Sequence, residues 1–535
     1  MSSDVAIPHV AKRPLRRRYH IAVRLAGYLV LLNLAWRCVR YALGFPFWGD
    51  EGFVVVNFLV RDFAGLFKPL EYGQIDPLLF MWAELAVSRV LGLSERALRL
   101  VPFVSGVLAV LLYWRFATRT LGRWEALMAV GILAAAYYPV RHALEVKPYG
   151  VDMLMSLVLI TLGWSVLQRP RCDRRWALLI AAAVVGVWAS YPSVFIAGGV
   201  GIVLGWKLVR EPSGRLAAGW IALGVGLAVS FGAMFLLYGK PHADARWLPG
   251  AAETMEQWGD GFPPVADPWR IPLWLVRVHT GFLMAYPVGG RDGGSTATFL
   301  FACVGALVLW QRQRWLLGLL LSPIPLAMVA AAMQRYPYGG SARYSQHLAP
   351  AVCLLAGVGL LTVLKTCLPR RLVPGAIGAM VVIFGLIAIG GIVRDIVQPY
   401  KTFADRENKR VVQWLAERTE PTDQWVAFNA LSEKVAYADY LGMRSGYGAR
   451  HRFYLHVFAP CPLTWAPDAA TVANPPGGRT WLIVYKDDRE PFPEEKLQRY
   501  LAVLTGRVGE PTMHEFVLHG SRNQTIVIYE FPRSA

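Results

Sequence analysis

The sequence predicts a polytopic α-helical membrane protein with about eleven spans, interfacial helices in its first outer loop, and a small C-terminal α/β domain. Three observations predict it. The 535 residues are 55% hydrophobic and only 17% charged, with a mean hydropathy of +0.37, too apolar for an ordinary soluble chain. Apolar runs of roughly 18 residues recur up to about residue 400, each long enough to cross a bilayer as a helix. Lys and Arg gather in short segments between those runs.

The spans are expected near 20–43, 97–114, 124–140, 150–168, 176–190, 193–206, 217–238, 297–311, 315–333, 346–364 and 373–393. Tyr191-Pro192-Ser193 is the turn between the fifth and sixth. Residues 1–19 form a basic segment, and the run after it is too long for a cleavable signal core, so it is read as a retained first span. With that segment cytoplasmic, the short inner segments hold 20 Lys and Arg and the outer ones, longer in total and counted without the longest loop 239–296, hold 8. Basic residues stay on the cytoplasmic side of short loops, which favours this orientation and places the C-terminal region outside. The net charge of +19 is therefore membrane topology and no sign of nucleic-acid binding. Six scattered cysteines without a CxxC pair indicate neither a zinc site nor a disulfide framework.

The membrane region is expected over 20–398, with a first outer loop at 44–96 and a long outer loop at 239–296. Beyond it, 399–535 regains charge. Residues 404–418 have the spacing of an amphipathic helix, 424–429, 481–485 and 525–531 read as strands, and 493–504 as a helix. No internal repeat or low-complexity segment is evident.

The outer loops carry the unusual residues. Within the first, 52–66 and 77–92 have apolar groups at helical spacing broken by polar ones, the pattern of helices lying on the membrane surface. Asp50-Glu51 stands at the seam between the first span and this platform. A carboxylate near hydrocarbon is costly unless paired or functional, and sugar transfer to a hydroxyl needs a base. The plainer reading makes Asp50 the N-cap of a helix starting at Glu51. Asp76 before Pro77 is likewise either an N-cap with Pro at the first helical position or a metal or substrate ligand. Ser94 suits the N-cap of the second span. The tight turn 141–149 holds Arg141, Glu145, Lys147 and Tyr149, equally a solvated ion pair or a sugar-phosphate site. The loop 334–347 offers Arg335, Arg343 and Tyr344, as membrane anchors or as guanidinium forks for phosphate. The long loop contributes His242, Arg246, Asp260, Arg270, Arg277 and His279 and reads as a folded cover.

Taken in order, Trp48-Gly49-Asp50-Glu51-Gly52-Phe53, Asp76-Pro77-Leu78, Ser94 to Pro102, Glu145-Val146-Lys147-Pro148-Tyr149 and Arg343-Tyr344 resemble the GT-C glycosyltransferases of the protein O-mannosyltransferase and lipid A aminoarabinose transferase type. The likeness is clearest over 40–165, weaker to about 395, and architectural beyond. It implies a GT-C fold in the plasma (inner) membrane, inverting transfer of a sugar from a polyprenyl-phosphate carrier, and a hydroxyl acceptor on a glycan, lipid or protein. Asp50 then maps to the base, with Glu51 beside it and Glu145 as a second acid. Lys147, Arg343, Tyr344, Tyr149 and Arg141 map to the substrate and phosphate. A divalent metal (Mg, Mn or Zn) is left open, with Asp76 as its candidate ligand. Two departures stand out. Many relatives have His-Pro-Pro where this chain has Ile75-Asp76-Pro77, which weakens the metal assignment, and many have Arg where this chain has Lys147.

Three other classes compete. A transporter calls for charges in mid-span, broken helices and repeat symmetry, of which the sequence shows little. A non-enzymatic assembly protein would bind through its C-terminal domain. An oligosaccharide ligase or polymerase would use a diphosphate-linked donor.

Overall fold

The computed structural model describes residues 13–245, 259–291, 293–428, 446–466, 469–472, 475–487, 492–518 and 524–533. Residues 1–12 of the basic start and Arg246 of the long loop lie outside them. Helix α1 (Arg13–Ala42) leads into a loop with α2 (Gly49–Val55), α3 (Asn57–Val60), α4 (Leu78–Leu91) and α5 (Glu95–Leu98). Then follow α6 (Leu100–Thr120), α7 (Arg123–Ala134), α8 (Tyr137–His142), α9 (Tyr149–Gln168) and α10 (Asp173–Ala189).

Each expected span is occupied by helix, and the protein is a multi-pass membrane protein. Among the described residues, eight helices are long and apolar enough to cross a bilayer: Ile21–Ala42, Leu100–Thr120, Tyr149–Gln168, Ser193–Arg210, Gly214–His242, Arg314–Ala332, Ala349–Cys367 and Val373–Val397. The other three expected spans are shorter helices, with 12 residues in α7 and 17 each in α10 and Thr296–Arg312. Helix α7 is enclosed rather than lipid-facing, since residues 126–136 are all buried among α1, α6 and the helices Ala349–Cys367 and Val373–Val397. Thr296–Arg312 packs against Ala349–Cys367 at backbone contact. A Cβ on Gly305 would collide with the Leu355 carbonyl, and one on Gly359 with the Phe301 carbonyl. In hydrocarbon, where helix association rests on close packing, small residues permit this approach. Polar ties add register: Asp395 accepts from Trp36 Nε1 at 2.7 Å and Arg40 Nη1 at 2.6 Å, binding Val373–Val397 to α1.

The first loop differs from expectation in three places. A continuous helix over 52–66 is interrupted at Val56, because Asn57 turns its amide back onto the Phe53 and Val54 carbonyls while its Oδ1 takes the Glu71 N–H at 2.9 Å. Trp48, not Asp50, is the N-cap of α2, and Glu51 reaches back to the Trp48 N–H at 3.2 Å. Pro77, not Asp76, is the N-cap of α4. Ser94 does cap α5, accepting the Ala97 N–H at 3.2 Å.

Beyond the membrane helices, β1 (Gln424–Phe428), β2 (Leu463–Ala466), β3 (Thr480–Asp487), β4 (Thr512–Leu518) and β5 (Gln524–Glu530) form one sheet in the order β2-β1-β3-β5-β4. Strand β1 is parallel to β2 and β3, whereas β5 is antiparallel to β3 and β4. The amphipathic helix Phe403–Ala416 and the helix Glu494–Val508 match expectation in place; the helix Gly446–Phe458, β2 and β4 were not expected.

Helix Gly446–Phe458 packs directly on α2 and seats the sheet domain on the first loop. Tyr454 accepts the Phe47 N–H at 2.8 Å and donates to Glu95 at 3.0 Å. Lys409 adds 2.6 Å to the same Glu95 carboxylate, and Arg452 meets buried Glu71 at 2.6 Å. Removing one partner of a buried ion pair leaves the other charge uncompensated. Arg452→Gln is expected to destabilise the solubilised protein by about 3 kcal/mol, read as a lowered unfolding midpoint.

Candidate active site

The site is built on a buried junction. Gly44 turns the chain out of α1 with φ +53, a left-handed conformation that suits glycine. The segment that follows wraps around Arg99, which is 1% exposed. Arg99 donates to the Phe45 carbonyl and to both oxygens of Glu51, at 2.8 and 2.6 Å. Its guanidinium also lies 3.8 Å from the Phe45 ring centroid. Glu51 accepts a further bond from the Val146 N–H at 2.9 Å. One carboxylate thus joins α1's exit, α2, the start of α6 and the loop between α8 and α9.

The structure separates the two acids of the seam. Glu51 is 0% exposed and turned into this junction, with its oxygens engaged by Arg99, Trp48 and Val146. Asp50 projects the other way. Its side chain is 28% exposed and ion-paired with Arg343 Nη1. Arg343 also donates from Nη2 to the Tyr344 hydroxyl at 2.7 Å, and its Nε–H has no acceptor among the described residues.

The loop carried by Val146 supplies the other charges. Glu145 meets Arg141 Nε at 3.3 Å and His142 Nδ1 at 3.0 Å. Burial works against its charge, but His142, Arg141 and Lys401 outweigh burial and hold the carboxyl well below the usual carboxylate range. Lys147 donates to Gln74 at 2.7 Å and lies 3.6 Å from Asp76. Tyr149 stands edge-on to His142 with ring centroids 5.6 Å apart, and Asp50, Glu145, Arg343 and Tyr344 are its electrostatic neighbours. Asp50, Glu145, Lys147, Arg343, Tyr344, Tyr149, Arg141 and Asp76 therefore converge from three loops at one end of the bundle. Arg335 is exposed on the 334–347 loop. The long loop reaches that same loop, with His279 Nε2 3.0 Å from the Tyr338 hydroxyl and the Gly261 carbonyl accepting the Tyr338 N–H at 2.7 Å.

Residues 76–238 match the family model of dolichyl-phosphate-mannose-protein mannosyltransferases. The structure is similar to that of ArnT from Cupriavidus metallidurans bound to undecaprenyl phosphate. The match has 14% identity and a TM-score of 0.53 and covers 94% of this chain and 98% of that one. It is also similar to the apo oligosaccharyltransferase of Archaeoglobus fulgidus, with 11% identity, 96% and 74% of the two chains covered, and a TM-score of 0.50. The protein has the GT-C glycosyltransferase fold. No curated protein sequence matches it.

Within this GT-C fold, the surroundings of Asp76 do not suit a divalent cation. Its carboxylate already faces the Lys147 ammonium, and no group of three or more His, Cys, Asp or Glu side chains converges among the described residues. Two residues that the sequence reading passed over also belong here. Asp152, one turn into α9 and 4% exposed, lies beside Ser190 and near Asp76. An acid inside an apolar run is the signal that would have found it. Lys401, just past the last membrane helix, holds its Nζ 3.2 Å from the Trp48 ring centroid. Nothing local in its sequence marks it.

The depressed Glu145 carboxyl has a consequence for pH. A group whose folded pKa lies below its unfolded value stabilises the fold above the unfolded pKa and loses that contribution as pH falls through the folded one. The gap in unfolding midpoint between wild type and Glu145→Gln should not close between about pH 8 and about pH 5, where protonation of His142 favours the wild type, and should narrow only in stronger acid. A gap that closes between about pH 7 and 6 would contradict this.

Proposed function

We propose that the protein is an inverting glycosyltransferase that moves a sugar from a polyprenyl-phosphate carrier to an acceptor hydroxyl on the outer face of the membrane. The observation that carries the reading is Asp50. Among the acids converging here it is the most accessible, and Arg343 keeps a positive charge against it. The family match over 76–238 and the fold support the same class.

In this reading the carrier's phosphate lies against Lys147 and Arg343. Arg343 faces it while its Nη1 stays on Asp50. The acceptor oxygen attacks the anomeric carbon as its proton passes to Asp50. The bond from that carbon to the phosphate oxygen breaks, and the carrier leaves as a phosphate anion. A single displacement inverts the anomeric centre. General-base catalysis and cations aimed at the leaving group are the means this chain supplies. Glu145, paired with Arg141 and His142, orients the cationic side of the site. Basic segments at the opposite end support an N-terminus in the cytoplasm and a sheet domain outside.

The test is transfer of a labelled sugar from polyprenyl monophosphate by membranes containing wild type or Asp50→Asn. Transfer should fall about a thousandfold in the variant with normal expression. Near-normal turnover would sink the proposal. Transfer confined to a polyprenyl-diphosphate donor would establish the ligase reading instead.

A further inference from the structure

Lys401 is the one cation of this cluster that belongs to no membrane loop. It lies on the connector 398–402 between the helices Val373–Val397 and Phe403–Ala416. That connector is held firmly. Thr402 donates its N–H to Asp405 Oδ2 at 2.8 Å, and the Thr402 hydroxyl accepts the Asp405 N–H at 3.3 Å, a reciprocal cap. Asp405 also takes buried Arg450 from the helix Gly446–Phe458, which rests on α2. The helices Phe403–Ala416 and Gly446–Phe458 thus hold the end of the connector next to Lys401.

The side chain extends over Trp48, the residue that caps α2. The Lys401 Nζ is 3.2 Å from that ring's centroid, and the Arg343 guanidinium is 5.9 Å from the same ring. The charged groups around Lys401 are Asp50, Glu145, Arg343 and Arg141. Yet Lys401 is exposed and makes no ion pair among the described residues. The Trp48 indole N–H beneath it is buried and has no acceptor among them either. Around Lys401, Asp50 and Glu145 face Arg141, Arg343 and Lys401 itself, so these groups hold one positive charge in excess. A sugar phosphodiester carries one negative charge. Asp50 pairs with Arg343, which leaves Lys401 over the ring as the cation that an added anion would neutralise.

We propose that Lys401 is a binding residue for the donor's phosphate, supplied by the connector, so that seating of the C-terminal domain completes the anion site. This rests on the glycosyltransferase reading above. It makes the sheet domain a structural part of the donor site.

The test uses the full-length protein in lipid nanodiscs, with undecaprenyl phosphate as the probe and undecaprenol as its uncharged counterpart. Lys401→Gln should bind undecaprenyl phosphate roughly tenfold more weakly, the loss expected for one charge-assisted contact. Its undecaprenol binding should be unchanged, Lys401→Arg should restore phosphate binding, and the Gln variant should be less sensitive to salt. Equal undecaprenyl phosphate affinity and salt dependence in wild type and Lys401→Gln would overturn the inference while leaving the glycosyltransferase reading standing. Wild-type protein that shows no preference for undecaprenyl phosphate over undecaprenol would overturn both.

Discussion

The buried Arg99–Glu51 pair is the contact on which the site depends. A guanidinium and a carboxylate in a low-dielectric interior are costly unless every donor and acceptor is used. Here the surrounding chain uses them. Arg99 reaches the Phe45 carbonyl as well as Glu51, and Glu51 reaches the Trp48 and Val146 amides. Two segments nearly a hundred residues apart, one with Asp50 and the other with Glu145 and Lys147, are thereby held in one frame. The cost of the buried pair is offset by fixing loops that could otherwise drift relative to the membrane helices.

The other acids of the first loop serve the same kind of purpose. Glu71 and Glu95 take Arg452, Lys409 and Tyr454 from the C-terminal domain. Asp62 accepts the Gly65 N–H in its own turn. Glu84 is buried beside Glu51, where burial first and then the neighbouring carboxylate push its pKa well up. What remain are Asp76, buried against Lys147, and Asp50, with part of its carboxylate reachable and a cation beside it. The C-terminal domain is correspondingly rooted in the loop that bears Asp50, through side chains of Gly446–Phe458 and Phe403–Ala416.

The sequence made the membrane helices legible because bilayer thickness imposes a length and an apolar composition on each of them. The sheet was partly legible: β1, β3 and β5 are compact apolar runs, but β4 at the sheet edge is largely exposed and mixes polar with apolar residues. Helix Gly446–Phe458 was not, since residues 449–455 are buried all round, including Arg450, His451 and Arg452, and so present no amphipathic period. Asp50 and Glu51 were legible as a pair and indistinguishable as individuals. Adjacent acids differ only in where they point, and that direction is set by Arg99 and Val146, far along the chain. Lys401 depends on a tertiary neighbour, Trp48, and Asn57's interruption of the surface helix depends on Glu71; no local pattern encodes either.

The division of labour between the two acids can be measured directly by comparing the unfolding midpoints of purified Glu51→Gln and Asp50→Asn. Glu51→Gln strands Arg99 in the interior and should lose about 3 kcal/mol, a drop of several degrees, while Asp50→Asn should unfold close to wild type. A destabilised Asp50→Asn beside an unaffected Glu51→Gln would contradict the account.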